Sequence, residues 1–118
     1  PLFDAWIAAG GATDALAWLR LTRALEADQP GLARYLLRFF ADDRRQAAQA
    51  LVDVHVTPAV VLDHTRFAAD DPTTRLILRH GLRRLAASDP SAADEAWGIY
   101  RRSHRFDAAD IADTTGAI

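Results

Sequence analysis

The chain has 118 residues, half of them hydrophobic and a quarter charged, which suits one globular domain rather than a disordered tail. A net charge of −2 is too small for nucleic acid or an anionic membrane to be an expected partner. Cysteine is absent, which excludes disulfides, thiol catalysis and Cys-ligated metals.

No apolar run approaches the ~20 residues of a membrane span. No signal peptide is recognisable. The chain opens on Pro1 and stops at Ile118 like a piece of something longer, so any targeting segment is expected to lie outside it.

In chain order, Leu2–Ala9 reads as the tail of a helix, stopped by Gly10-Gly11. Thr13 is placed to cap the next helix, with Asp14 in its first turn. Ala15, Trp18, Leu19, Thr22 and Leu25 then recur at helical spacing. Asp28-Gln29-Pro30-Gly31 breaks that helix, and LARYLLRFF places Leu32, Leu36, Phe39 and Phe40 on one predicted face.

Asp42-Asp43 opens a further helix whose Ala47, Leu51 and Val54 face inward. Val52, Val54 and Val56 also alternate as a short strand would, but the preceding Ala/Gln-rich turns favour helix. Pro58 suits the first turn of a short helix, PAVVLDH.

After Asp70-Asp71-Pro72, the stripe Ile77, Leu78, Gly81, Leu82 and Leu85 predicts a long helix. Ser88-Asp89-Pro90-Ser91 turns the chain, with Ser91 as the expected cap. Ala93, Ala96, Trp97, Tyr100 and His104 share one side of the helix that follows. Asp107 begins a last helix. The predicted fold class is therefore all-α, built from antiparallel hairpins.

Sliding the first hairpin by sixty positions aligns Leu25 with Leu85, Pro30 with Pro90, Ala33 with Ala93 and Phe40 with Tyr100. Arg23 falls on Arg83 and Ala27 on Ala87. Small residues beside the corner let paired helices approach closely, as in irregular tetratricopeptide-like solenoids. Residues 1–118 are thus expected to form one helical-repeat segment stacked as an α-superhelix.

Catalytic chemistry finds no foothold. His55, His64, His80 and His104 do not form the paired motif of a zinc helix, and no metal or cofactor is expected. His80 and His104 are placed to face each other across their hairpin, as packed residues. Asp42, Asp71 and Asp89 sit beside helix starts, where capping explains them better than acid–base work. Glu26 and Glu95 lie among charged neighbours on helical turns. Ser88, Ser91 and Ser103 lack a nucleophile elbow, and Gly10-Gly11 is not a phosphate loop. Trp6, Trp18 and Trp97 fall on predicted core stripes.

The charged residues are one-sided in kind: all fourteen cations are Arg, and fourteen of the sixteen acids are Asp. Arg75, Arg79 and Arg83 follow one another at i, i+4, i+8 on one helix face, with no acid between Pro72 and Ser88. Such a ridge is a candidate site for carboxylates or polyanions, which the guanidinium fork grips in two-point fashion. Arg34 and Arg38 form a smaller pair of the same type. The plain alternative is a solvated face paired in part with Asp94 or Glu95.

The segment GLRRLAASDPSAADEAWGIYRRSHRF, Gly81–Phe106, resembles the helical superdomain of soluble lytic murein transglycosylases. A run of the form LARxDPxxAxxxW joins two helices in that family, and Leu85 through Asp89-Pro90, Ala93 and Trp97 fit it. LEADQPGLARYLLRFF, Leu25–Phe40, looks like an upstream stretch with a GLARYL core. The likeness runs from about Leu16 to Ile111.

That resemblance implies a bacterial periplasmic protein acting on peptidoglycan. The family cleaves the β-1,4 bond between N-acetylmuramic acid and N-acetylglucosamine without water, leaving a 1,6-anhydro end. A lysozyme-like domain supplies its catalytic Glu, and the helical part curves around that domain. The Glu-Ser and Gly-Leu-Met-Gln signatures of the catalytic domain are not present in this sequence, so no catalytic residue carries over. The expected role is non-catalytic support of glycan strands. The rival expectation is a helical-repeat adaptor that binds a protein partner.

Overall fold

A computed structural model describes residues 15–118. Among them it forms α1 (Ala15–Glu26), α2 (Pro30–Leu36) with a 3-10 turn at Leu37–Phe39, and α3 (Asp42–Val56). A second 3-10 turn (Pro58–Leu62), α4 (Pro72–Ser88), α5 (Pro90–Ser103) and α6 (Ala108–Ala117) follow, and no strand occurs among the described residues. The expected all-helical class holds. The helix tail at Leu2–Ala9, the Gly10-Gly11 break, Thr13 with Asp14, and Trp6 lie outside the described residues.

Proline and aspartate punctuate the chain for local reasons. Pro30, Pro72 and Pro90 occupy first-turn positions, where a missing N–H costs nothing and φ is preset. Asp71, Asp89 and Asp107 accept the N–H groups of Thr74, Ala92 and Asp110, which would otherwise lack partners inside their helices. Asp89, not Ser91, is therefore the α5 cap: Pro90 already starts the helix, so Ser91 lies inside its first turn. Asp42 departs from this pattern. It sits in the first helical turn of α3, the N-cap being Ala41, and pairs with Arg45 at 2.8 Å.

The alternating valines belong to α3, as the preceding turns imply; Val52 and Val54 are buried and Val56 is exposed at the helix end. The α4 stripe Ile77, Leu78, Gly81, Leu82 and Leu85 is buried in full, as is the α5 stripe ending at Tyr100. Trp18 and Trp97 are buried as expected, the first edge-on to Phe40 and the second edge-on to Phe106.

The α2 prediction needs correction. Its core face is Ala33, Leu36, Leu37 and Phe40, whereas Leu32 and Phe39 are 45% and 53% exposed. Apolar residues occupy both sides of this short helix, so hydrophobicity alone did not fix the phase. The tighter 3-10 turn at Leu37–Phe39 rotates the last residues further.

Of the positions sixty residues apart, Leu25 and Leu85, Ala33 and Ala93, and Phe40 and Tyr100 are all buried. Their corners differ: Ala27, Asp28 and Gln29 separate α1 from α2, while Asp89 alone separates α4 from α5.

The α4 helix lies against α3, the second 3-10 turn, α5 and α6. It approaches them tightly at Gly81, where a Cβ would clash with Val61 Cγ1 and stand 3.0 Å from Val54 Cβ. Tyr100 ties α5 to the same place, donating its hydroxyl to the Val61 carbonyl at 2.7 Å. Burial, with the nearby Asp63 charge, pushes that phenol up to about 12, so it remains a donor.

Two glycine substitutions separate packing from propensity. Gly81→Ala is expected to lower unfolding free energy by about 1–3 kcal/mol through overpacking. Gly98→Ala, where an added Cβ meets nothing within 4 Å, is expected to raise it by about 0.5–1 kcal/mol. Urea unfolding of both variants checks the pair; equal effects would show that the Gly81 contact does not limit the packing.

Candidate functional site

The spacing of Arg75, Arg79 and Arg83 does line them along one side of α4, but the chain's own acids meet them there. Arg75 pairs with Asp70, and Arg83 pairs with Asp113. Arg79 reaches Asp110 and Asp113, each at 2.8 Å, and its Nε donates to Thr114 Oγ1 at 3.3 Å. The ridge is thus the seat of α6, with the loop before α4 closing its lower end. Asp94 and Glu95 supply none of these partners; the acids come from segments whose approach no local pattern signals.

Asp70 shows the strength of the arrangement. Burial would raise its carboxyl, but the Arg75 guanidinium and the Arg105 N–H, 3.2 Å away, outweigh this and hold it below the usual range. Two further contacts seat α6: Thr114 is fully buried, and Trp97 Nε1 donates to Thr115 Oγ1 at 3.1 Å.

Arg34 and Arg38 lie on α2, apart from the ridge. The Arg38 guanidinium stacks 4.1 Å from the Tyr35 ring centroid, and Tyr35 meets Phe39 edge-on. With Leu32 these rings form an exposed strip flanked by two cations.

A concave surface lies elsewhere. The first turns of α3 and α4 and the Arg66-Phe67 segment bound an open groove of about 920 Å³. Its walls carry Arg44, Arg45 and Arg66, the acids Asp42, Asp43 and Asp71, the amides Gln46 and Gln49, and Thr73 and Thr74. Ala50, Phe67 and Ile77 supply apolar lining.

Much of this polar wall is braced. Arg45 donates to the Phe40 carbonyl at 2.9 Å and to the Leu37 carbonyl at 3.3 Å. Gln49 and Arg66 both donate to Asp53, at 2.8 and 2.7 Å. Braced side chains of mixed sign over an apolar floor suit a ligand rich in hydroxyl and amide groups, since each finds a fixed partner. Sequence reading missed the groove because its walls come from stretches that look like ordinary charged helix starts.

His80 and His104 are packed and hydrogen-bonded as expected, but not in the expected pair. His104 is buried and gives its Nε2 hydrogen to the Phe67 and Ala69 carbonyls, at 2.8 and 3.0 Å, while the Ser103 hydroxyl meets its Nδ1 at 2.8 Å. His80 does not face it. His80 lies edge to edge with His55, their nearly parallel rings centred 5.3 Å apart, because α3 rather than α5 covers that side of α4. Among the described residues, no three His, Cys, Asp or Glu side chains converge to hold a metal ion. No described helix is long and apolar enough to cross a membrane.

Comparison with known protein families, curated proteins and solved structures returns no match for this chain.

Arg79→Ala is expected to weaken folding by about 1 kcal/mol at low salt. Ions at 1 M should narrow the gap, since the paired acids are partly solvated. Urea unfolding at both salt concentrations checks this; an unchanged midpoint would mean that the α6 contact carries no stability.

Proposed function

We propose that this chain is a non-catalytic superhelical segment of a periplasmic soluble lytic murein transglycosylase, and that it holds glycan strands for a lysozyme-like domain carried elsewhere in the protein. The observation that carries the reading is the hairpin at Gly81–Phe106. The residues that make the family likeness have structural work there: Leu85, Ala93 and Trp97 are buried between the helices, and Asp89 caps at the Pro90 corner. Such a corner is what a stack of helical pairs requires.

The groove beside α3 and α4 supports the same reading. Its Gln, Thr and Arg side chains suit the hydroxyl, acetamido and carboxylate groups of a murein strand. The Arg ridge is a weaker place for stem-peptide carboxylates, because α6 is itself seated on it through Asp110 and Asp113.

Binding to purified, soluble muropeptides tests the proposal. Arg66→Ala combined with Gln49→Ala is expected to weaken binding about tenfold, from two lost polar contacts. Arg79→Ala with Arg83→Ala should change it little. No binding by the unaltered chain would remove the proposal.

The exposed Leu32, Tyr35 and Phe39 strip favours a second reading, a helical adaptor that docks a protein partner on α2. Loss of a partner with Tyr35→Ala, while muropeptide binding is absent, would select it.

A further inference from the structure

One hydrogen-bonded chain joins three parts of the fold, and the wall-binding proposal uses none of it. Asp28 in the α1–α2 corner meets His55 Nε2 at 3.2 Å, and His55 Nδ1 meets His80 Nε2 at 3.1 Å. The chain is most deeply buried at its middle member. The Asp28 side chain is 80% exposed, that of His55 in the last turn of α3 is 5% exposed, and His80 in α4 is half-buried.

The backbone at Asp28 is a second, independent sign. Gln29 N–H reaches the Ala24 carbonyl at 2.8 Å and Asp28 N–H reaches that of Leu25 at 2.9 Å, the paired bonds of a Schellman ending. Asp28 fills the left-handed position of that motif, with φ 54°, where glycine is the usual residue. An aspartate tolerates this conformation at some cost and gains a carboxylate aimed at His55.

Donor and acceptor chemistry then fixes the hydrogens. A carboxylate only accepts, so His55 carries its hydrogen on Nε2 and presents a bare Nδ1. That lone pair accepts from His80 Nε2–H, which leaves His80 Nδ1 bare. The neutral chain therefore has one direction, from His80 through His55 to Asp28. A first added proton can go to His80 Nδ1 with both bonds kept, but it places a cation in a partly buried site beside Arg83 and Arg84, a cost that opening the clasp to water relieves. A second, on His55 Nδ1, would set two N–H groups against each other and break the pair.

We propose that Asp28, His55 and His80 form an acid-sensitive clasp that fastens the first hairpin to α3 and α4 and loosens as the rings take up protons. The charged groups facing the rings are Asp28 from the corner and Arg83 and Arg84 from α4. Arg84 also donates to the His55 carbonyl at 2.8 Å, which places its cation beside the clasp. Burial, followed by His55, Arg84 and Arg83, lowers His80 to about 4. Burial also lowers His55, with Asp28 opposing and Arg84 assisting.

The sign follows from linkage. Both rings bind protons less readily folded than unfolded, so the clasp is intact above the free-histidine range near 6.5 and weakens as pH falls towards 4. At pH 5 the His80 share alone lowers the folding equilibrium by about 30-fold relative to pH 7.5.

Imidazole 15N NMR and urea unfolding from pH 7.5 to 5 test the proposal on the unaltered chain. Hydrogens on Nε2 of both rings, His80 titrating well below 6.5, and faster amide exchange in α1–α2 than in α5 at pH 5 are expected. His80→Gln, which keeps a donor towards His55, should cut the acid loss by roughly that 30-fold factor. Asp28→Gly should lower stability at pH 7.5, although glycine relieves the backbone. The clasp is overturned by independent titration of the two rings near 6.5, by a gain in stability from Asp28→Gly, or by an unchanged pH dependence in His80→Gln. Should that variant not fold, the ring titrations decide alone.

Discussion

The close approach of α4 to α3 at Gly81 is the constraint on which the rest of the described structure depends. With no side chain there, Val54 and Val61 reach the helix backbone, and the second 3-10 turn is trapped between α3 and α4. Tyr100 of α5 then finds the Val61 carbonyl, and Arg79 on another side of α4 finds the acids of α6. Moving α4 outward by a methyl group would disturb each of these contacts. A single small residue thus sets the spacing for four neighbouring elements.

Much of this architecture was legible because its signals are local. Asp-Pro and Asp followed by small residues mark helix starts through capping and a preset φ, and neither depends on distant residues. Periodicity read α4 and α5 well, since each has one apolar side and one charged side. It misplaced Leu32 and Phe39 because α2 is short and apolar on both sides; Ala33, the small residue, marked the buried face.

The charged face was legible only in part. Spacing aligned Arg75, Arg79 and Arg83, but their partners lie in the Asp70 loop and in α6, and pairing across such separations leaves no trace in a local pattern. The His55–His80 pair was hidden for the same reason: each is an isolated histidine until α3 and α4 meet. The groove, too, exists only once two helix starts converge on Arg66 and Phe67. Chemistry assembled from distant segments is where reading from spacing stops.

At the corner between α4 and α5, only Asp89 stands between two helices of 17 and 14 residues. Pro90 bars Asp89 from the helical region, and Asp89 indeed holds φ −146° and ψ 79°. Its ring also denies α4 the N–H needed to run straight on. A residue without that ring would permit fusion of the two helices into one rod of some thirty residues, whose freed arm could seek the complementary face of a neighbouring copy. The proline thereby disfavours exchange of a helical arm between molecules as well as shaping one of them.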